Sequence, residues 1–409
     1  MTLDHPPPAH PHPGRLTELD WLRIAAFGLL ILYHVGMFYV SWDWHVKSPR
    51  LVPELEALMR LSSPWRMSLL FVVSGAATAL MAGAGRPLAG PRTLRLLPPL
   101  LFGMAVVVPP QAYLEVVEKV AYAGSYADFM RLYVQGYHGF CRGSDCLVLP
   151  TWNHLWFVAY LWVYTMVLAL VLRTAGTAWR DAGGWGWLSH GGRLLWAPWL
   201  LFALARILLV ARFPTTHDLL HDAYNHVLYG AMFLLGFVLF GRADDAHGAW
   251  AAAVRLRWWA LAVALAAMVV SDRWSAAYAG PVDPSDTVLM ALRALNAVKQ
   301  WAPIVALLGF ARRHLAGRDG ATRRWLTEGI FPFYILHQTV IVVAAHLLAR
   351  AALPLALEAL LLVAITAAAC VLGFEAVRRV PWLRPLFGLA PRAGRQPGKR
   401  ADGQPVGVR

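Results

Sequence analysis

The chain has 409 residues, of which 58% are hydrophobic and only 15% are charged. An ordinary soluble domain carries about 25% charged residues, so this composition argues against a water-soluble protein and favours one that is dissolved in lipid. The formal net charge is +14 at pH 7, but the basic residues fall in short clusters between apolar runs. That pattern is typical of Lys and Arg retained on the cytoplasmic side of a membrane. We therefore attribute the positive charge to membrane topology, and we expect the protein to lie in a lipid bilayer and to bind no nucleic acid.

The first 18 residues are rich in Pro and His and lack a signal-peptide pattern, which predicts a disordered cytoplasmic tail over 1–18 before an uncleaved first span. Runs of about 20 apolar residues, long enough to cross about 30 Å of hydrocarbon, follow along the chain. They predict an all-α, polytopic transmembrane domain of about ten helices over 19–378. A basic segment over 379–409 is typical of a solvated cytoplasmic tail. The predicted spans are approximately 19–41, 62–82, 94–110, 154–172, 194–211, 224–241, 257–271, 287–310, 328–350 and 354–377.

The distribution of Arg predicts the orientation of this bundle. With the N-terminus inside, every internal loop is Arg-rich, whereas the external segments hold fewer basic residues, often beside acids. An N-in, C-in arrangement follows, because cytoplasmic loops carry the excess of basic residues. The longest connection, 111–153, is then a folded external loop. It contains Cys141 and Cys146, which either form a disulfide in an oxidising compartment or remain two buried thiols.

The first span carries two ionisable residues, Arg23 and His34, eleven positions apart. That separation is about 1100° of helix, so the two side chains share a face about 16 Å apart along the axis. An ionisable residue inside a span costs about 2.5–3.5 kcal/mol on insertion scales and needs a reason. The functional interpretation is that Arg23, oriented by Asp20, holds an anionic donor and that the deep imidazole transfers a proton. The structural alternative is a snorkelling Arg and a core His bonded to a neighbouring helix.

The third span is entered through the segment PRTLRLLPPL, in which Arg92 and Arg95 lie three residues apart. Both guanidiniums can point the same way from one helical turn, and such a fork suits phosphate better than ammonium groups do. The alternative is ordinary basic residues on the inner side. The Pro98–Pro99 pair that follows is expected to break or kink the start of the helix.

Other polar residues are candidates for the lining of a site. Trp44 and His45 lie at the outer interface, Arg66 opens the second span, His154 opens the fourth, and His337 lies within the ninth. Tryptophan faces stack on sugar rings, although an aromatic belt explains them equally well. The remaining side chains line an acceptor site or bridge neighbouring helices.

Several segments, taken together and in order, carry a family resemblance. They are LDWLR…YH at 19–34, WHVKS at 44–48, WRMSLLFVVSG at 65–75, RTLR at 92–95, HLWF at 154–157, FYILHQT at 333–339 and VPWLRPLFG at 380–388. The chain resembles the acyltransferase-3 family of integral-membrane acyltransferases, most closely its glucan biosynthesis protein C branch. It departs from that branch at His337–Gln338, where a His-Pro type sequence is more usual.

The resemblance implies roles for particular residues: His34 as the essential histidine, Arg23 as its partner, and Arg92 with Arg95 as the basic pair used for the donor. It also implies a multi-pass enzyme of the bacterial inner membrane, an acyltransferase of the EC 2.3.1 type. The enzyme would move an acyl group, acetyl or succinyl in type, from cytosolic acyl-CoA to an extracytoplasmic carbohydrate such as a periplasmic glucan. Acyl-CoA is then a co-substrate, with no bound cofactor expected and no protein partner assigned.

Two other interpretations compete. His217 and Asp222 have the His-x4-Asp spacing of glycerolipid acyltransferases, but the predicted topology places them outside, away from cytosolic donors. His217 and His221 lie four apart without an obvious third ligand, so we predict no metal site. The non-enzymatic alternative is a saccharide or lipid exporter with Arg and His on a substrate path, although no inverted repeat is visible.

Overall fold

The computed structural model describes residues 16–176, 184–241, 248–278 and 284–391. Most of both predicted tails therefore lies outside the described residues. The helices, in chain order, are α1 (Thr17–Tyr39), α2 (Glu54–Arg60), α3 (Arg66–Gly83), α4 (Ala89–Phe102), α5 (Pro109–Val120), α6 (Tyr126–Val134), α7 (Trp156–Ala175), α8 (Arg193–Leu209), α9 (Ala223–Leu239), α10 (Ala249–Ala277), α11 (Asp286–Leu315), α12 (Ala321–Ala349), α13 (Leu355–Arg379) and α14 (Leu383–Leu386). A π-helical turn follows α4 (Gly103–Val107), and 3₁₀ turns cover Asn153–Leu155 and Gly184–Ser189.

The described residues form an all-α membrane bundle, and each predicted span overlaps one of its helices. Seven helices are long and apolar enough to cross a membrane, and an eighth crossing results if the bent pair of α4 and α5 is one span. Helices α8 and α9 have 17 residues each, which is the lower limit of about 17–25 residues for a crossing. The total of ten spans stays a prediction.

The third span is broken, but not where its first prolines predicted. Helix α4 runs through Pro98 and Pro99, and the break falls at the π-helical turn, where α4 and α5 meet at 41°. Pro109 and Pro110 open α5; they lack the N–H groups that would continue the helix, and Pro suits a helix start. Carbonyl groups left over at the turn accept from side chains: Tyr133 donates to Met104 O (2.8 Å) and Thr339 to Val107 O (2.6 Å). Two carbonyl groups at the break therefore have protein partners, as irregular backbone in a membrane requires.

The segment predicted as one external loop, 111–153, contains more regular structure than expected. Its first part continues α5, which packs against α12. Its end holds a hairpin of two short strands, β1 (Cys141–Arg142) and β2 (Asp145–Cys146). Cys141 and Cys146 form the disulfide that the sequence left open.

Close packing of α3 against α9 depends on glycine. A Cβ atom added to Gly75 would lie 1.9 Å from Phe233 O, and one added to Gly236 would lie 2.0 Å from Val72 O. These distances leave no room for a methyl group, so the two backbones touch directly, as small residues allow in membrane bundles.

The bundle has two ends, which we name by their contacts. At the basic end, the start of α1 meets the turn between α11 and α12: Thr17 donates to Leu315 O (3.1 Å) and Trp21 to Arg318 O (3.0 Å). At the loop end, the chain after α1 meets the turn before α13, where Arg50 donates to Leu353 O (2.5 Å). Helix α1 therefore runs from the basic end to the loop end.

Candidate active site

Two histidines predicted from separate spans meet in the interior. His34 Nδ1 lies 2.8 Å from His337 Nε2, and the two rings are parallel to within 3°. His337 is fully buried, whereas His34 is partly exposed. The contact joins α1 to α12 across 303 positions of sequence, so the sequence pattern alone could not pair them.

The partners of His337 fix the protonation of both rings. Nδ1 of His337 faces the carbonyl oxygens of Tyr334 (2.7 Å) and Phe333 (3.2 Å). A carbonyl only accepts, so in the neutral ring Nδ1 carries the proton and Nε2 of His337 is the acceptor. His34 must then donate from Nδ1, which leaves the lone pair on its Nε2. Within the described residues Nε2 of His34 has no hydrogen-bond partner, so it is available to take a proton.

Aromatic and imidazole rings surround this pair. Trp44 lies with its ring centroid 6.5 Å from that of His34, and His154 stands edge-on to His337 at 5.1 Å. His154 Nε2 faces Ile335 O at 3.1 Å and therefore donates to it. Its other nitrogen, Nδ1, is buried with no hydrogen-bond partner among the described residues. The site thus holds two imidazole lone pairs that are not used by the fold.

A buried cation completes the surroundings of His34. The Arg66 guanidinium lies 3.9 Å from the centre of the Tyr33 ring and donates to Ser62 Oγ (3.0 Å). Arg66 is 4% exposed, and its charge reaches His34, as do the charges that His154 and His45 would carry. All five predicted lining residues therefore gather around the predicted catalytic histidine.

The loop end adds a polar network that the sequence did not reveal. His45 Nδ1 contacts Glu115 Oε2 at 2.5 Å, and His45 Nε2 accepts from the Gln338 amide at 2.8 Å. Gln338 also donates to Gln111 Oε1 at 3.1 Å. The only sequence signals were that Gln338 follows His337 and that Gln111 and Glu115 lie four apart, one helical turn.

Lys47 fixes the segment that carries Trp44 and His45. Its ammonium donates to the carbonyl oxygens of Met37 (2.6 Å) and Trp42 (3.1 Å), and also to Val40 O. A cation at the end of α1 is favourable because the last helical carbonyls lack partners. Burial lowers the pKa of Lys47 to about 8.

The predicted donor residues lie at the basic end. Arg92 is buried, donates to Thr78 Oγ1 at 2.8 Å, and has an Nε without a hydrogen-bond partner among the described residues. Arg95 is exposed and lines a cavity of 610 Å³. Arg92 and Arg95 lie one helical turn apart on α4, and Arg23 on α1 is close enough for its charge to act on Arg92. We call these three residues the arginine cluster; guanidinium groups of this kind suit phosphate.

Arg23 is held by an ion-pair ladder. It donates to Asp20 Oδ1 at 3.2 Å, the pair expected from the spacing, and the other oxygen of Asp20 pairs with Arg323. Arg323 is 1% exposed and also bonds Asp319 Oδ1 at 2.8 Å. These hydrogen bonds hold the pKa of Asp319 below its usual value. Helices α1 and α12 are thus tied together at the basic end as well as at the histidine pair.

The His217–Asp222 motif is a structural element of a loop. Asp222 is fully buried and accepts from the Tyr160 hydroxyl (2.5 Å), the Asn225 amide (3.0 Å) and the backbone N–H of His217 (3.1 Å). The His217 ring instead stacks on Trp156, with centroids 4.0 Å apart. Across the described ranges, no group of three His, Cys, Asp or Glu side chains is arranged to hold a metal.

Comparison with known families shows the family of the chain. Residues 16–375 match the acyltransferase domain of the acyltransferase-3 family. The chain belongs to the acyltransferase-3 family. No curated protein and no solved structure matches it. This acyltransferase is therefore a multi-pass membrane enzyme, and the histidine pair, the arginine cluster and the loop-end network all lie within the matched residues.

Proposed function

We propose that this acyltransferase moves an acyl group, of acetyl or succinyl type, from cytosolic acyl-CoA to a hydroxyl of an extracytoplasmic carbohydrate, in the bacterial inner membrane. The observation that carries the proposal concerns Nε2 of His34, which has no hydrogen-bond partner among the described residues. The bond from Nδ1 of His34 to His337 keeps the proton on Nδ1 and leaves the lone pair on Nε2. A positioned imidazole base of this kind contributes about 10²–10⁴-fold to a rate.

The chemistry at His34 is proton transfer. Nε2 takes the proton of the acceptor hydroxyl while the oxygen attacks the thioester carbonyl of acyl-CoA. The C–S bond then breaks, and the imidazolium returns its proton to the departing thiolate. The products are an ester and coenzyme A, so atoms and charge balance without a further reactant.

His337 stabilises the imidazolium that forms on His34. When His34 becomes positive, its Nδ1–H bond to His337 becomes a charge-assisted hydrogen bond, which is about twice as strong as a neutral one. His337 in turn donates to backbone carbonyls of α12. The groups that stabilise the positive charge are therefore already oriented before it forms. No reorganisation is needed during the reaction, as in other preorganised sites.

The arginine cluster at the basic end supports acyl-CoA as the donor. Coenzyme A carries several phosphates, and the cluster of Arg23, Arg92 and Arg95 places three positive charges at one end of the bundle, with Arg95 exposed there. We place this basic end in the cytoplasm, because basic residues are retained there. The acyl chain would then extend from the basic end toward His34, which lies deeper on the same helix as Arg23.

The loop end supports a carbohydrate acceptor. It offers Trp44 beside His34, together with hydrogen-bonding side chains on His45 and Gln338. Aromatic faces and amide or carboxylate groups suit sugar rings, which have apolar C–H faces and polar hydroxyls. The resemblance to the glucan biosynthesis protein C branch favours succinyl as the acyl group and a periplasmic glucan as the acceptor.

The test is the His34→Ala substitution in the purified, full-length protein. Transfer of radiolabel from acyl-CoA to a glucan should be lost, while membrane insertion and thermal stability stay close to wild type, because His34 is partly exposed and contributes one internal hydrogen bond. Retention of wild-type transfer by this variant would remove His34 from catalysis.

A further inference from the structure

A second polar cavity lies at the loop end, outside the histidine pair. It has a volume of 160 Å³ and lies between α5 and the disulfide-closed hairpin. Glu115 and Lys119 contribute one wall, and Arg142 and Asp145 of the hairpin contribute the other. Phe140 adds buried apolar surface. None of these residues has a role in proton transfer at His34.

The charges of this cavity are balanced. Two acids and two bases line it, so the net charge of the lining is zero. Lys119 bonds Glu115 Oε1 at 2.9 Å and Asp43 Oδ2 at 2.7 Å, and Arg142 lies 3.8 Å from Asp43. Asp145 has no ion pair among the described residues. An anion would have to break one of the pairs of Lys119 or Arg142, and the balanced lining favours an ion of neither sign. A neutral ligand with many hydroxyl groups would instead use the remaining lone pairs and N–H groups of the same side chains.

The size of the cavity limits what it holds. Pockets for drug-sized ligands have volumes of about 300–1,000 Å³, so a cavity of 160 Å³ is on the scale of one sugar ring. The apolar surface of Phe140 and neighbouring valines suits the C–H face of such a ring. The chemical class that fits the charge, the size and the mixed lining is a single neutral monosaccharide unit.

The cavity is joined to the histidine pair through Glu115. One oxygen of this carboxylate bonds Lys119 in the cavity wall, and the other contacts His45, which accepts from Gln338 beside His337. Neither His34 nor His337 lines the cavity, and a base must lie within about 3 Å of the proton it takes. A sugar in the cavity is therefore not the one that reacts at His34.

We propose that this cavity is a saccharide subsite that binds a neutral sugar unit of the acceptor next to the unit acylated at His34. The inference rests on the proposed function for its reaction, and it adds the place where the protein holds the sugar unit next to the acylated one. It also assigns the disulfide-closed hairpin a role in sugar binding, because Cys146 forms part of the cavity wall.

The experiment blocks the cavity with a bulky side chain on the loop segment and changes no residue of the membrane helices. Val148 lines the cavity and is 64% exposed, so Val148→Trp should occupy the mouth and leave the helices unchanged. Ser144 lies on the same hairpin, is exposed and does not line the cavity, so Ser144→Trp is the matched control. The probes are neutral gluco-, galacto- and manno-oligosaccharides of increasing length, measured by calorimetric binding to the full chain in nanodiscs and by acyl transfer.

The expected result is a gain in affinity from the first to the second sugar unit of about tenfold, the value of one or two added hydrogen bonds. Val148→Trp should abolish this gain and leave the KM for acyl-CoA unchanged, whereas Ser144→Trp should keep it. Equal length dependence in the two variants, or no binding of any neutral oligosaccharide to the wild type, would overturn the subsite. Binding is read without turnover, so loss of acyl transfer with length-dependent binding intact would count against the proposed function alone.

Discussion

His337 offers the sharpest single perturbation of the proposed site. Replacing it by Leu removes the acceptor that lies 2.8 Å from His34 Nδ1 but keeps an apolar side chain in a fully buried position. His34 then loses the partner that fixes its proton on Nδ1. The tautomer with the proton on Nε2, which cannot act as a base toward a hydroxyl, becomes accessible.

The size of the effect follows from the charge that develops on His34. A neutral hydrogen bond contributes about 0.5–1.5 kcal/mol, and one to a charged group about 1.5–3 kcal/mol. His34 is neutral before proton transfer and positive afterwards, so the larger figure applies to the transition state and the smaller one to the ground state. Only the difference between them, about 1–1.5 kcal/mol, affects kcat. It corresponds to roughly a 5- to 13-fold decrease in kcat.

The assay is steady-state acyl transfer by purified variants, with the KM measured for both substrates. His337→Gln is the conservative variant, because its amide oxygen can still accept from His34 Nδ1. His346→Leu is the matched control: His346 is a buried histidine on the same helix, but it bonds Glu118 (2.6 Å) and not His34. We expect kcat to fall in the order His346→Leu, His337→Gln, His337→Leu, with little change in either KM.

Two results would refute this reasoning. A kcat for His337→Leu within about twofold of the wild type would mean that the pair contributes no transition-state stabilisation. An equal loss in His337→Gln and His337→Leu would mean that the position matters through packing, since the glutamine retains the acceptor.

Three further predictions concern the donor site and the fold. Arg92→Ala with Arg95→Ala should raise the KM for acyl-CoA much more than that for the acceptor, because both side chains belong to the basic cluster; equal changes in both KM values would reject a donor role. Arg323→Ala should destabilise the protein by about 3–5 kcal/mol, the cost of removing one partner from a buried ion pair. Thermal unfolding in detergent would measure this loss, and an unchanged melting temperature would contradict the ion-pair ladder. Gly75→Ala should reduce the yield of folded protein, because the added Cβ would lie 1.9 Å from a backbone oxygen. Gly83→Ala should keep the wild-type yield, because no neighbouring atom lies within 4 Å of its added Cβ. Equal yields of the two variants would contradict the packing of α3 on α9.

Local patterns in the sequence were sufficient to place the long apolar helices of the bundle. Apolar runs placed the helices because membrane insertion depends on composition over about 20 residues. The spacing of Asp20 and Arg23 predicted their contact because both lie on one helical face. The same rule put Arg23 and His34 on the same side of α1.

Contacts between distant segments could not be predicted in this way. Glu115 and Lys119 looked like residues of an external loop, but Glu115 belongs to a helix that meets His45, and Lys119 pairs with Asp43. Arg323 looked like one of several basic loop residues, yet it is buried against Asp20. These side chains are stabilised by partners far away in sequence, and a single sequence records the residue types but not the pairing.

The central claim is that an acyl group enters at the basic end and leaves on a sugar at the loop end through His34. Its most direct test uses proteoliposomes of one orientation, with radiolabelled acyl-CoA on the side of the basic end and a glucan on the other. We expect label to accumulate on the glucan with the wild-type protein and not with His34→Ala. Label that reaches the glucan only when donor and acceptor share one side, or that reaches it equally in both proteins, would contradict the account.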